Sequence, residues 1–117
     1  MTFSQGNGVA HYEQFSALDI RVGTIVRAEP FNEAHKPAYK LWIDFGTAIG
    51  ERKSSAQITA LYSLDDLLNR QVLAVVNFEP KQIGNFMSEC LVLGAHTDEG
   101  VALLQVDRPC KNGEKIG

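Results

Sequence analysis

The amino-acid sequence predicts a single all-β domain of about five short strands, with one small helix between the third strand and the fourth. Three observations support this class. The 117 residues (12.9 kDa) suit one compact domain, and 44% hydrophobic residues suffice for an ordinary small core. Several segments alternate apolar and polar residues at a period of two, as half-buried strands do. We therefore expect one domain and no multidomain enzyme.

The chain begins with a polar stretch that precedes the first strand. Residues 1–14 are polar and glycine-containing, which predicts a loose leader or a segment that a dimer partner orders. The domain itself then spans residues 15–117. The even positions of residues 20–28 are mostly apolar, so we expect them to face the core. Gly23 marks a bend or bulge in this strand.

The second strand has the clearest alternation in the sequence. Apolar and polar residues alternate through residues 39–45, and Trp42 falls on the polar face of that pattern. After a turn, residues 52–58 form a weaker and more polar third strand. We therefore expect Trp42 to lie outside the core.

The pattern changes to a helical period after the third strand. Leucines at 64, 67 and 68 share one face of a helix, which predicts about two turns over residues 63–70. Ser63 is a suitable N-cap, and Asp66 stands three residues later, where a capping box needs it.

The last part of the sequence returns to strands. Residues 71–78 form a nearly continuous β-branched run, typical of a central strand buried on both faces, and residues 79–84 interrupt it. Two final strands, near residues 91–95 and 101–106, flank a turn. Five strands with a helix after the third follow the order of an OB-fold, a partly open barrel that binds oligomers across one sheet face and its loops.

Charge and cysteine content exclude several classes of protein. Eleven Lys and Arg residues against fourteen Asp and Glu give a net charge of −3, so no polybasic arm is present, although a local patch can still bind nucleic acid. Cys90 and Cys110 stand far apart, which argues against a structural zinc site and a disulfide framework. With no signal-peptide pattern and no long apolar run, we expect a cytoplasmic protein without membrane insertion.

The catalytic inventory of the sequence is thin. The three histidines fall in the predicted leader, a loop and a turn, without the spacing of a metal or general-base site. Neither cysteine lies in a nucleophile motif, and no glycine-rich phosphate loop occurs. We therefore expect no enzyme, no metal and no cofactor.

Two polar stretches indicate binding instead. Residues 52–55 (RKSS) combine two cations with two hydroxyls, which can contact phosphate oxygens. Residues 77–81 (NFEPK) end the central strand, and residues 86–89 (FMSE) follow across a loop. The alternatives remain open: the cations also suit a solvated strand face, and Phe78 and Phe86 also suit a core.

These stretches belong to a set of motifs that resembles the tRNA-binding domain family. The motifs are residues 17–26 (ALDIRVGTIV), 54–58 (SSAQI) and 75–84 (VVNFEPKQIG), followed by Ser88 and Glu89. That family includes the appended domain of methionyl- and phenylalanyl-tRNA synthetases and free-standing dimeric tRNA-binding proteins. The run over residues 77–95 is most similar to the CsaA-type export chaperones. The resemblance covers residues 15–117 and implies an OB-fold homodimer.

For the tRNA-binding members, the resemblance implies recognition of the shape of folded tRNA. The RNA-binding candidates carried over with it, or lying beside the motifs, are Arg52, Lys53, Ser54, Ser55, Asn77, Lys81 and Ser88. Where RNA binders commonly have Lys-Met, this chain has Gln82 and Ile83, and where they have Gly-Met it has Cys90 and Leu91. One lysine fewer predicts weaker and less salt-dependent tRNA binding.

For the chaperone members, the resemblance implies binding of unfolded preproteins and of the SecA export motor. The candidates for an adaptable apolar peptide-binding patch are Trp42, Phe78, Ile83, Phe86 and Met87. Burial in the core or in a dimer interface is the alternative for these residues. Pairing of an extended peptide with an exposed strand edge is one binding mode.

The leading hypothesis is a cytoplasmic, homodimeric protein-export chaperone that binds unfolded preproteins and SecA without a cofactor. The alternative is a structure-specific tRNA-binding protein. A third hypothesis is a structural dimerisation domain that assists a synthetase. Apolar residues in both terminal segments, residues 1–13 and 107–117, favour a dimer because we expect one small barrel to leave them uncovered.

Overall fold

A computed structural model describes residues 8–117 and confirms the mainly β architecture. The helices are α1 (Tyr12–Ser16) and α2 (Leu64–Leu67), and the strands are β1 (Ile20–Pro30), β2 (Tyr39–Asp44), β3 (Glu51–Ala56), β4 (Gln71–Val75), β5 (Lys81–Ile83), β6 (Phe86–Ser88), β7 (Leu91–Val92), β8 (Gly94–Thr97) and β9 (Gly100–Leu103). Five strands form an antiparallel sheet in the order β3-β2-β1-β4-β7. This sheet curls into the nearly closed barrel that the sequence predicts, and β5–β6 and β8–β9 are separate hairpins.

The alternation predicted for β1 holds only in its first half. Ile20 and Val22 are buried as expected, but Ile25 is fully buried and Val26 is 45% exposed. The pairing with β2 shifts register between Ile25 and Arg27, which is a β-bulge. Because one extra residue reverses the side-chain alternation, the prediction for Val26 was wrong.

The sequence predicted a bend or bulge at Gly23, but the bulge lies a few residues later, between Ile25 and Arg27. Gly23 has a different role: a Cβ there would lie 2.6 Å from Cγ2 of Ile43 and 2.7 Å from the ring of Phe45. Both neighbours belong to the fully buried part of the core. Glycine at position 23 thus allows the backbone of β1 to pack closely against Ile43 and Phe45.

The C-terminal tail completes the wall beside the first half of β1. The Gly113 amide donates to the Val22 carbonyl at 2.7 Å, the Val22 amide donates to Glu114 at 3.0 Å, and Ile116 donates to Ile20 at 2.9 Å. The tail is thus tied to its own chain. Ile116 of the tail is half-buried against its own chain.

Helix α2 is shorter than predicted but begins as predicted. The Ser63 side chain accepts from the Asp66 amide, and the Asp66 carboxylate accepts from the Ser63 amide, which completes the capping box. The helix ends at Leu67 because Leu68 is extended and Asn69 adopts a positive φ of 65°. Only Leu67 is therefore buried, and Leu68 is 46% exposed.

Two later segments differ from the prediction. Residues 79–84, expected to be a break, contain β5, which pairs with β6 in a hairpin: Lys81 lies opposite Ser88 and Ile83 opposite Phe86. The strand predicted over residues 91–95 divides into β7 and β8. The first pairs with β4 and the second with β9, so a single straight strand cannot serve both.

The N-terminal segment contains a short helix that the sequence did not predict. Within the predicted leader, residues 1–7 lie outside the described residues, and α1 crosses the expected domain boundary at residue 15. None of the α1 residues is buried, and Tyr12 is 75% exposed. The helix therefore contributes little to the core of its own barrel.

Candidate ligand groove

A concave groove of about 340 Å³ opens at the end of β3, between this strand and the β5, β6 and β7 segments. We call it the β3 groove. Its lining comprises Ser55, Gln57, Phe78, Glu79, Lys81, Ile83, Ser88, Glu89, Cys90 and Leu91. Five of these, Ser55, Phe78, Lys81, Ile83 and Ser88, are sequence-predicted candidates, and they come from both the RNA-binding and the peptide-binding sets. The two predicted sites thus converge on one place.

Two neighbouring depressions extend the β3 groove. One is lined by the loop before β2, including His35 and Lys36, and the other by Leu91 and His96. Ser55 and Gln57 line all three depressions. The end of β3 thus contributes to the groove and to both depressions beside it.

Side chains close the outer edge of β3. The Lys53 amide donates to Oε1 of Glu89 at 2.9 Å, and the Ser55 amide donates to Oγ of Ser88 at 3.0 Å. The Glu89 amide also donates to the Lys53 carbonyl at 2.7 Å. Ser88 and Glu89 therefore occupy the hydrogen-bonding positions that an added strand would need, so strand addition along this part of β3 is blocked.

Burial removes two candidates from the accessible surface. Ser54 is fully buried, and its hydroxyl donates to the Ser55 carbonyl at 3.3 Å, so it is not available to RNA. Phe86 is only 6% exposed and packs against Phe31 and Trp42 with ring centroids 5.4 and 5.7 Å away. Phe86 is thus the centre of a small second core, which was the alternative that the sequence left open.

Asn77 holds the start of the domain in place. Its Oδ1 accepts from the Asp19 amide and its Nδ2 donates to the Ala17 carbonyl, both at 2.8 Å. Both polar atoms of the amide therefore have partners within the chain. The geometry assigns Asn77 a structural contact, and the sequence alone gives no sign of partners so far away along the chain.

The two adjacent cations of the RKSS stretch are not a single patch. Arg52 reaches the Val76 carbonyl at 3.4 Å, whereas the Lys53 ammonium lies 5.2 Å from the centre of the Phe86 ring. They separate because successive residues of a strand point to opposite faces. Lys81, by contrast, is exposed on the wall of the β3 groove.

Sequence reasoning missed a cation and aromatic cluster on the outer sheet face. The Arg27 guanidinium lies 4.2 Å from the Trp42 ring centre, and Lys40 lies 5.3 Å from that of Phe31. Arg27 also pairs with Glu29, and Lys40 with Glu33. The strand register, which places Trp42 beside Arg27, was the missing information. The carboxylates of Glu29 and Glu33 compensate the positive charge of this face.

The remaining apolar candidates differ in position. Phe78 is 47% exposed and lines the β3 groove together with half-buried Ile83. Met87 is 40% exposed but is not part of the groove lining. Trp42 lies outside the main core, as predicted, but packs against the second core around Phe86. The groove also has an exposed apolar residue that the sequence did not single out, Leu91.

The groove lining includes one cysteine, Cys90, and its side chain is buried. Burial raises the pKa of the Cys90 thiol to about 12, so the thiol stays protonated near neutral pH. Within residues 8–117, no cluster of three or more His, Cys, Asp or Glu is placed to hold a metal ion. No helix of the same residues is long and apolar enough to cross a membrane.

Comparison with known proteins identifies relatives of two kinds. The CsaA chaperone structure from Picrophilus torridus is 55% identical, with a TM-score of 0.90 over 93% of this chain and 100% of that one. The CsaA structure from Bacillus anthracis is 48% identical, with a TM-score of 0.88 over 94% of this chain and 100% of that one. The methionine–tRNA ligase of Thermococcus onnurineus is 39% identical over 105 residues, which are 90% of this chain but 14% of the ligase.

The chain thus spans a small part of the ligases that it matches and the full length of the CsaA structures. The profile of the tRNA binding domain family matches residues 20–115. This match includes every strand of the barrel. The chain therefore belongs to the tRNA binding domain family and is of the CsaA type.

Proposed function

We propose that this protein is a cytoplasmic chaperone for protein export, without enzymatic activity or a cofactor. It binds extended, apolar segments of unfolded preproteins as a homodimer and delivers them to SecA. The observation that carries the proposal is the likeness to two CsaA chaperones over their whole length. Binding by mass action is sufficient: stabilising the unfolded client keeps its apolar segments from aggregating.

The composition of the β3 groove supports a peptide ligand. Phe78 and Leu91 both line the groove and are each close to half exposed, so together they form an apolar wall that a peptide can cover. Glu79 and Glu89 stand beside the single lysine of the lining, Lys81. A groove with apolar walls and two carboxylates favours a neutral or basic polypeptide over a chain of phosphates.

Aggregation of a chemically denatured preprotein, measured by light scattering, tests the proposal. Suppression at a several-fold molar excess is expected, and Phe78→Ala should weaken client binding by about fivefold or more because it removes an exposed aromatic anchor. Leu68→Ala is the matched control, since Leu68 is equally exposed but lies beside α2. Unchanged aggregation in the presence of the wild-type protein would reject the chaperone function.

The alternative function is structure-specific tRNA binding, supported by the family itself. In this case Lys81 would contact phosphate at the groove, with Lys53 on the outer face and the hydroxyls of Ser55 and Ser88 nearby. Affinity measured by fluorescence anisotropy of labelled tRNA would fall with salt, and Lys81→Ala would reduce the salt slope by about one. Affinity that is insensitive to both salt and Lys81→Ala would exclude this function.

The homodimer is supported by the exposed N-terminal helix. Tyr12 and Phe15 of α1 are 75% and 44% exposed, and no residue of α1 is buried. A second copy that covers α1 would order this segment, as proposed for the leader. Mass measurement by light scattering should give a dimer for the wild type and a shift toward monomer for the Tyr12→Ser, Phe15→Ser double variant. A wild-type monomer at micromolar concentration would contradict the proposal.

Delivery to SecA is tested by co-elution of the purified proteins on gel filtration. We expect this protein and SecA to form a complex, and to form it more readily when a client is bound. Absence of a complex in both conditions would remove SecA from the set of partners and leave client binding intact.

A further inference from the structure

Gln57 follows β3 directly, one residue past the end of the strand at Ala56. Pairing of β2 with β3 stops at Tyr39 opposite Ala56. The Lys53 and Ser55 amides point away from β2, toward Glu89 and Ser88. Because the backbone groups of an extended chain repeat their direction every two residues, we expect the Gln57 amide and carbonyl to point outward as well. Within residues 8–117, neither group of Gln57 makes a backbone hydrogen bond.

This unpaired residue lies where a ligand would bind. Gln57 is exposed and lines the β3 groove and both depressions beside it. Before it, Ser88 and Glu89 already occupy the edge of β3. Strand addition to the whole edge is thus blocked, and within the groove Gln57 offers an outward donor and acceptor of the kind that a second backbone satisfies in pairs.

We propose that the Gln57 backbone is the anchor for the client: one residue of an extended apolar segment exchanges two hydrogen bonds with it. Alternate side chains of that segment, about 7 Å apart, then face the apolar wall formed by Phe78, Ile83 and Leu91. The inference rests on the proposed chaperone function. It explains how one site accepts varied sequences, because the backbone bonds are the same for every client.

Charge complementarity defines the client further. Glu79 and Glu89 place two carboxylates on the groove lining against one ammonium, Lys81. The Glu89 carboxylate also accepts from the Lys53 amide. The preferred client is therefore an apolar segment with a basic residue at one end, rather than an acidic segment or a nucleic acid.

The test uses the full-length protein and a fluorescein-labelled nonapeptide of alternating leucine and threonine with one terminal lysine. N-methylation of a single peptide amide removes one donor. We expect methylation of the amide that faces Gln57 to weaken binding about 2- to 10-fold, the effect of one net hydrogen bond. Methylation of either adjacent amide, which points away, should change affinity less than twofold.

Substitution of the protein gives a second, independent readout. Gln57→Pro removes the donor and should weaken binding of the nonapeptide by a similar factor, whereas Gln57→Ala keeps the donor and should bind the nonapeptide more tightly than Gln57→Pro does. Circular dichroism and thermal melting establish that the proline variant is folded. If it is not folded, the methylation series on the wild-type protein still decides.

Each other outcome overturns the anchor. Equal effects at all methylated positions, or an equal loss in Gln57→Ala and Gln57→Pro, would show that side chains and not the backbone bind the client. If the nonapeptide does not bind while a denatured preprotein still does, the anchor is also rejected, because a backbone anchor should accept peptides of different sequence. Failure of both ligands rejects the chaperone function itself, and labelled tRNA that still binds in that case would favour the alternative function.

Discussion

Removal of the Asn77 side chain distinguishes a ligand contact from a structural one. The resemblance to the family makes Asn77 an RNA-binding candidate, whereas its amide contacts Ala17 and Asp19 at 2.8 Å on both sides. Each such bond contributes about 0.5–1.5 kcal/mol net. Both bonds are exposed, so water can replace the lost partner. We therefore expect Asn77→Ala to lower the free energy of unfolding by about 1–2 kcal/mol.

The assay is urea denaturation followed through the single tryptophan, with a thermal melt beside it. For a domain of this size the expected loss corresponds to a fall in Tm of about 4–8 °C. Limited proteolysis should cut residues 12–18 faster in the variant, because Asn77 fastens this segment to the barrel. Asn77→Asp should also be destabilised, since it replaces the donor to Ala17 with a carboxylate that faces a carbonyl.

Lys81→Ala is the control from the same family motif. Lys81 is exposed on the groove wall, so its removal should change stability by less than about 0.5 kcal/mol. The structural reasoning is refuted if Asn77→Ala leaves the free energy of unfolding and the proteolysis pattern unchanged while it abolishes RNA binding.

Three further substitutions or reactions test the packing. Phe86→Ala should lower the free energy of unfolding by about 3–5 kcal/mol and alter tryptophan emission, because the ring is buried against Trp42. An unchanged urea midpoint would contradict the packing of Phe86 in the second core. Gly23→Ala should lower the free energy of unfolding by about 1–3 kcal/mol, because the added Cβ would clash with the ring of Phe45. A Tm equal to that of the wild type would show that β1 can shift to accommodate the methyl group. With a pKa raised by burial to about 12, Cys90 should resist a thiol reagent at pH 8 until urea unfolds the chain. Because the thiolate forms more readily in the unfolded chain, stability should fall as pH rises above about 8.5; rapid labelling of native Cys90 would refute its burial.

Local patterns were sufficient for much of the fold. The alternation through β2, the cap of α2 by Ser63 and Asp66, and the place of α2 between β3 and β4 were all predictable. Each of these depends on neighbours within a few residues along the chain. The separation of Arg52 from Lys53 was also open to prediction from strand alternation, and the sequence-based interpretation of them as one patch overlooked it.

Pairing register decided the features that the sequence left undetermined. The bulge in β1 buries Ile25 and exposes Val26, and nothing in their residue types marks the position where the register shifts. The same register places Arg27 on the Trp42 ring. A one-residue slip would send each of these side chains to the opposite face, so their surroundings depend on how whole strands align.

By itself, the sequence determined the class of fold, the family and five side chains that now line one groove. Only the tertiary structure decided what each candidate does: Ser54 is buried, Asn77 binds its own chain, and Ser88 closes the edge of β3. Likewise, only the tertiary structure shows that Gln57 lines the groove and makes no backbone hydrogen bond within residues 8–117. Hydrogen bonds such as those between Asn77 and Asp19 join residues 58 positions apart, and no periodicity along the chain encodes which distant backbone groups remain unpaired once the barrel has formed.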